Sequence, residues 1–158
     1  MYEIDLSQKT AMVFGVANDH SIAWSIAQIL NKAGARLVLT YQNDRFGRRV
    51  SNLVSGMDNV SLVECDVSDD LSIEAAFNKV KEEIGSLDII VHSVAYADRE
   101  DLQGNFSQTN RHNFAMSLDI SAYSLIPIMK HASTLMNNGG SALAMTFHAS
   151  EKVYPGYN

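Results

Sequence analysis

Short apolar runs along this chain alternate with longer stretches in which apolar positions recur every three or four residues. Thr10–Gly15 is a run of β type. It enters a loop of mostly small and polar residues that opens into a helix predicted over Ser21–Ala33. Ile22, Ile26, Ile29, Leu30 and Ala33 are expected on the buried face of that helix, with Gly34 just past its end. Arg36–Tyr41 reads as a second strand, after which Phe46, Val50, Leu53 and Val54 fall at helical spacing. Val60–Val63 is a short third strand. Ile73, Ala76, Phe77, Val80 and Ile84 then mark an amphipathic helix ending at Gly85. Leu87–Val91 is nearly all apolar, as a strand covered on both faces should be. A helical region follows over roughly Phe114–Leu135. Pro127 inside it predicts a kink or a restart near Ser124, because proline in a helix interior costs about 3 kcal/mol. Ser141–Thr146 is the fifth strand, entered through Asn138-Gly139-Gly140.

Strands separated by crossover helices imply a parallel sheet with helices on both faces. Right-handed crossovers reduce the choices to a doubly wound, Rossmann-type α/β fold. Residues 1–158 are expected to form one domain, with no internal repeat or linker.

Composition narrows the function classes. The chain has 158 residues, 46% hydrophobic and 19% charged, enough for one domain with a real core. A net charge of -6 argues against nucleic acid or an acidic membrane surface as partner. No apolar run approaches the ~18 residues of a membrane span, and the acidic start Met1-Tyr2-Glu3-Ile4-Asp5 lacks the basic region of a signal peptide. Cys65 is the only cysteine, and no Cys/His spacing suggests a metal. A reducing, cytoplasmic setting is the natural expectation.

In open α/β sheets ligands bind where the strands end. At the first end, Gly15, Ala17, Ser21, Ile22 and Ala23 resemble a pyrophosphate loop, in which small residues let phosphate approach backbone N–H groups at a helix N-terminus. Only Gly15 is a glycine, so a strict G-x-G-x-x-G pattern is absent. At the second end Gln42 is neutral and the nearest cation, Arg45, lies three residues on. That pattern favours NADH over NADPH, whose 2′-phosphate needs positive charge. At the third end Asp66 and Val67 either bracket an adenine or simply start the next turn. At the fourth, Ser93, Val94 and Ala95 either admit a flat cofactor or pack the sheet end. Past the fifth strand, Tyr157 is a candidate general acid, its phenol needing a nearby cation to act near neutral pH. His148 lies in the same segment, and its ordinary reading is a solvated residue.

These motifs together resemble the enoyl-acyl-carrier-protein reductases of bacterial fatty-acid synthesis, a divergent branch of the short-chain dehydrogenase/reductases. Gly15-Val16-Ala17 with Ser21-Ile22-Ala23 is similar to the family's phosphate loop, and Thr40-Tyr41-Gln42-Asn43-Asp44 to its NADH-preferring second strand end. Cys65-Asp66-Val67 resembles its adenine clamp and Asp119-Ile120-Ser121-Ala122-Tyr123-Ser124 its interface helix. Pro155-Gly156-Tyr157-Asn158 resembles the start of its catalytic helix. The resemblance implies reduction of trans-2-enoyl thioesters carried on acyl carrier protein, with hydride from NADH and Tyr157 stabilising the enolate. Ala97, Phe147 and Tyr157 would then face the substrate, and the whole protein would be a homotetramer. Arg99, Arg111 and Lys130 are scattered candidates for contact with the acidic carrier.

Two positions depart from the family pattern, and a third, Ala144, bears on the alternative. Phe147 stands where the family usually has a second tyrosine, so a hydroxyl is missing. Ala144 stands where a ketoreductase has serine, which disfavours the alternative of a carbonyl reductase. The family's lysine, seven residues past the tyrosine, falls beyond Asn158. The resemblance therefore implies a fold incomplete at its C-terminus, lacking the last strands, the remainder of the catalytic helix and the substrate lid. The fifth strand would then lie at an exposed edge. The 158 residues alone are expected to turn over little, and a non-catalytic dinucleotide-binding fragment is the other reading.

Overall fold

The computed structural model describes residues 4–154. Five parallel strands, β1 (Thr10–Phe14), β2 (Arg36–Tyr41), β3 (Val60–Glu64), β4 (Ile89–His92) and β5 (Ser141–Ala144), lie in the order β3-β2-β1-β4-β5. The chain winds outward from β1 in one direction and then returns to its other side. The ends of β1 and β4 therefore flank the crevice at which such sheets bind ligands.

The sheet is buried by helices on both faces, and the alternation of side chains along β1 divides the core. Ala11 and Val13 join Leu37, Leu39 and Val91 against α1 (Ile22–Lys32) and Val50 of α2 (Asp44–Leu53). Met12 and Phe14 join Val38, Val63 and Ile90 on the other face. There they meet Ile73, Ala76, Phe77 and Val80 of α3 (Asp70–Glu83) and Ile128 and Ala132 of α5 (Leu125–Ala132). Fully burying one such aliphatic side chain is worth about 1.5–3 kcal/mol. Side-chain caps start three helices: Asn43 accepts from the amides of Arg45 and Phe46, Asp69 from Leu71, and Asn110 from Asn113 at the start of α4 (Arg111–Leu118).

The buried face of α1 differs from the one its isoleucines predict. Ile22 and Ile29 are 61% and 68% exposed, whereas Ala23, Trp24 and Ala27 are buried. Small residues bring the helix close to the sheet, and Trp24 fills the space at its side. Gly34 adopts φ +94° as expected. Its amide bonds to Asn31 O and that of Ala35 to Leu30 O, the paired bonds that close a helix through a left-handed residue.

The long helix expected over 114–135 is three pieces. α4 ends at Leu118, a π turn spans Asp119–Tyr123, and α5 begins at Leu125. The Ser124 amide reaches back to Asp119 O, the wide bond of a π turn. Pro127 sits in the first turn of α5, where its missing N–H costs little, so the restart near Ser124 is what the structure shows.

β5 lies at the sheet edge, as expected, and all four of its residues are exposed. No helix among the described residues is long and apolar enough to cross a membrane.

Candidate dinucleotide site

The loop after β1 is held by its own helix. Ser21, the residue before α1, does not cap the helix. Its Oγ instead accepts from the backbone amides of Ala17 and Asn18, both at 3.0 Å. The first amides of α1, including those of Ile22 and Ala23, thus have no side-chain acceptor, and their positive end of the helix dipole is left for an anion. Gly15, at φ +101°, is needed for a reason other than phosphate approach: a β-carbon there would overlap the carbonyl of Ser93. The amide of Ser93 donates to Phe14 O at 3.2 Å, so the ends of β1 and β4 are closely joined.

An open-sided cleft of about 270 Å³ runs across these strand ends. From β1 it is lined by Gly15 and Ala17, from β2 by Gln42, from β3 by Asp66 and Val67, and from β4 by Ser93, Val94 and Ala95. Ser21 and Ile22 border the loop without lining the cleft. Gln42 and Asp66 meet: the Gln42 amide donates to Asp66 Oδ2 at 3.1 Å. The other oxygen of Asp66 accepts from the amide of Ser68 at 3.0 Å and its hydroxyl at 2.7 Å. Asp66 therefore both starts the next turn and faces the cleft. Burial pushes its carboxyl up, but the Ser68 bonds and the Gln42 amide outweigh that and hold it below the usual range. It is ionised at neutral pH. Burial, and then the charge of Asp66, pushes the Cys65 thiol up to about 12, so this core thiol beside the cleft is protonated and unreactive.

Phe46, Tyr96 and Ile120 also line the cleft and went unremarked for this role in the sequence. Phe46 and Ile120 were hidden among apolar positions that read as helix packing. Ile120 reaches the cleft from within the π turn.

Of the expected substrate residues, Ala97 and Phe147 are not among those that line the cleft. Ala97 is half-buried in the loop after β4. Phe147 is exposed and stacks on Tyr154, ring centroids 5.5 Å apart. The Tyr154 hydroxyl is 3.0 Å from His148 Nδ1, and Glu151 is 3.7 Å from His148 Nε2. Tyr157 falls outside the described residues. Arg99, Arg111 and Lys130 are exposed on separate elements. Among the described residues no group of three His, Cys, Asp or Glu side chains is arranged to hold a metal ion.

Comparison with known proteins adds to this geometry. The model of the enoyl-(acyl carrier protein) reductase family matches residues 15–158. The chain belongs to that family. It is 43% identical over 153 residues to the enoyl-[acyl-carrier-protein] reductase [NADH] FabI of Enterococcus faecalis, covering 97% of this chain and 60% of that protein. It is 41% identical over 155 residues to the FabI of Bacillus subtilis, again spanning 60% of the relative. Among solved structures, FabI from Candidatus Liberibacter asiaticus superposes with a TM-score of 0.94 at 39% identity, over 100% of this chain and 61% of that one. The enoyl-(acyl-carrier-protein) reductase of Anaplasma phagocytophilum, solved in complex with NAD, matches with a TM-score of 0.92 at 40% identity, over 100% of this chain and 62% of that one. The fold and the order of its strand ends are therefore those of this reductase family.

Proposed function

We infer that this protein reduces trans-2-enoyl thioesters with NADH, the acyl group being presented on acyl carrier protein. The observation that carries the cofactor half is the Gln42–Asp66 pair in the cleft. A neutral amide and an ionised carboxylate offer acceptors for ribose hydroxyls and an adenine amine. The same charge repels a 2′-phosphate, so the pair favours NADH over NADPH. The relatives whose names specify NADH, and the NAD complex of the Anaplasma protein, support this choice.

In this reading the amides at the start of α1 meet the pyrophosphate, with Gly15, Ala17, Ser21 and Ile22 shaping that end. Gln42 takes the ribose, and Asp66 and Val67 take the adenine. Ser93, Val94 and Ala95 form the floor on which the rest of the dinucleotide lies. Bound NADH supplies the hydride that reduces the enoyl double bond. Tyr157 donates a hydrogen bond to the thioester oxygen as charge gathers there, an interaction of the oxyanion type. Ala97 and Phe147 border the acyl group, and Phe147 contributes shape without a hydroxyl. The assembled protein is a cytoplasmic homotetramer.

Two measurements test this. Calorimetric titration with NADH and NADPH should show NADH bound at least ~10-fold tighter, a preference of about 1.4 kcal/mol. For the whole protein, loss of NADH absorbance should follow addition of a crotonyl thioester and not of a 3-ketoacyl thioester, whereas the 158 residues alone should consume little of either. Absence of NADH binding, or a preference for NADPH, overturns the cofactor assignment. Binding without consumption of the crotonyl thioester by the whole protein removes the reductase activity and leaves the dinucleotide site.

A further inference from the structure

His92 and Ser124 are a buried polar pair between β4 and the restart of the broken helix. Both are almost wholly inaccessible, and His92 Nε2 lies 2.8 Å from Ser124 Oγ. The serine hydroxyl also lies 2.7 Å from Ile120 O, an acceptor only. A hydroxyl has one proton, and here it is donated to that carbonyl. Ser124 Oγ must then accept from His92, which fixes the imidazole as the Nε2–H tautomer. Burial holds the ring below its ordinary pKa, so it is neutral and serves as a donor.

The carbonyl held in this way belongs to the π turn, and the side chain of Ile120 lines the cleft. The next residue ties the turn to the opposite partner. Ser121 Oγ accepts from the Tyr96 amide at 2.9 Å and donates to Tyr96 O at 3.2 Å. Tyr96 also lines the cleft. A π turn is a rare form within a helix and depends on its surroundings to persist. Side chains from outside the helical ladder therefore hold the turn.

We propose that His92 and Ser124 are positioning residues of the dinucleotide cleft, fixing through the Ile120 carbonyl the π turn whose Ile120, together with the Tyr96 that Ser121 holds, sets one wall. The proposal rests on the NADH reading above, and two readouts separate the two ideas. One is NADH affinity by calorimetry. The other is hydrogen exchange of the Tyr96 amide, which needs no ligand.

Ser124→Ala and His92→Phe remove the bond, whereas His92→Gln keeps an N–H near the Nε2 position. Val80→Ala is the control, since it opens space in the same core on α3, away from the cleft. Ser124→Ala and His92→Phe should each weaken NADH binding about 5- to 10-fold and speed Tyr96 exchange about 10-fold, the size of one lost buried hydrogen bond. His92→Gln should recover most of both, and Val80→Ala should lower the melting temperature while changing neither. Wild-type affinity and protection in both bond-removing variants overturns the proposal. So does an equal loss in Val80→Ala, which would make the effect one of general stability. If the unaltered chain binds no NADH, the cofactor reading falls, and Tyr96 exchange still decides whether the pair holds the turn.

Discussion

The carbonyl of Ser93 occupies the space in which a β-carbon on Gly15 would stand. The two residues follow neighbouring strands, so the first loop and the end of β4 are a single packed unit. Gly15→Ala must displace that backbone and also bear φ +101°. The expected loss is about 3 kcal/mol, or about 6–12 °C in melting temperature for a domain of this size. A thermal scan checks this, and a melting point unchanged within ~2 °C would show that the ends of β1 and β4 separate freely.

Ser21→Ala removes the acceptor for the amides of Ala17 and Asn18. The helix itself loses no cap, because Ser21 provides none. The expected stability loss is therefore modest, about 1 kcal/mol by denaturant titration, while the Ala17 and Asn18 amides exchange faster. Normal protection at those amides with a melted α1 would reverse the assignment and make Ser21 a helix cap.

At the other end of the sheet, Asp88 accepts from Lys9 Nζ and from the Thr10 amide, each at 2.9 Å. The Lys9 bond first, then the Thr10 amide, holds its carboxyl below the usual range. A depressed folded pKa means that the contribution is full above the unfolded value near ~4 and fades as pH falls through the lower folded value. Asp88→Asn should be less stable by about 0.5–1 kcal/mol at pH 7, with the gap closing below about pH 4 and shrinking in salt. Unfolding curves of both proteins across that range give the answer, and a gap that widens in acid would contradict the pairing.

Two leucines in the sheet should respond very differently to truncation. Leu39 is fully buried in β2, whereas Leu143 in β5 is 50% exposed. Leu39→Ala is expected to cost about 2–5 kcal/mol and Leu143→Ala under about 1 kcal/mol. Equal losses by chemical denaturation would mean that Leu143 is covered in solution.

The strands were legible because each is a short apolar run bounded by a turn, and the two-faced core follows from period-two alternation. The face of α1 was not, since hydrophobicity favours Ile22 and Ile29 while packing distance favours Ala23 and Ala27. The break at Ser124 could be read from Pro127, a local signal. The π turn could not, because its anchor joins residues 32 positions apart. At the site, the loops at the strand ends were recognisable one by one. The bond between Gln42 and Asp66 required knowing that β2 and β3 are neighbours. Ile120 was read as part of an interface helix, and the structure places it in the cleft lining within the π turn.

Trp24 is the only tryptophan in the chain, and it is buried on α1 beside the first loop. Its emission is thus a local gauge of a single βα unit. It reads the tightness with which α1 lies on β1, and it is blind to the exposed strand at the far edge. A melting curve followed by this fluorophore describes the α1 side of the molecule, and agreement with circular dichroism would show that the two faces of the sheet come apart together.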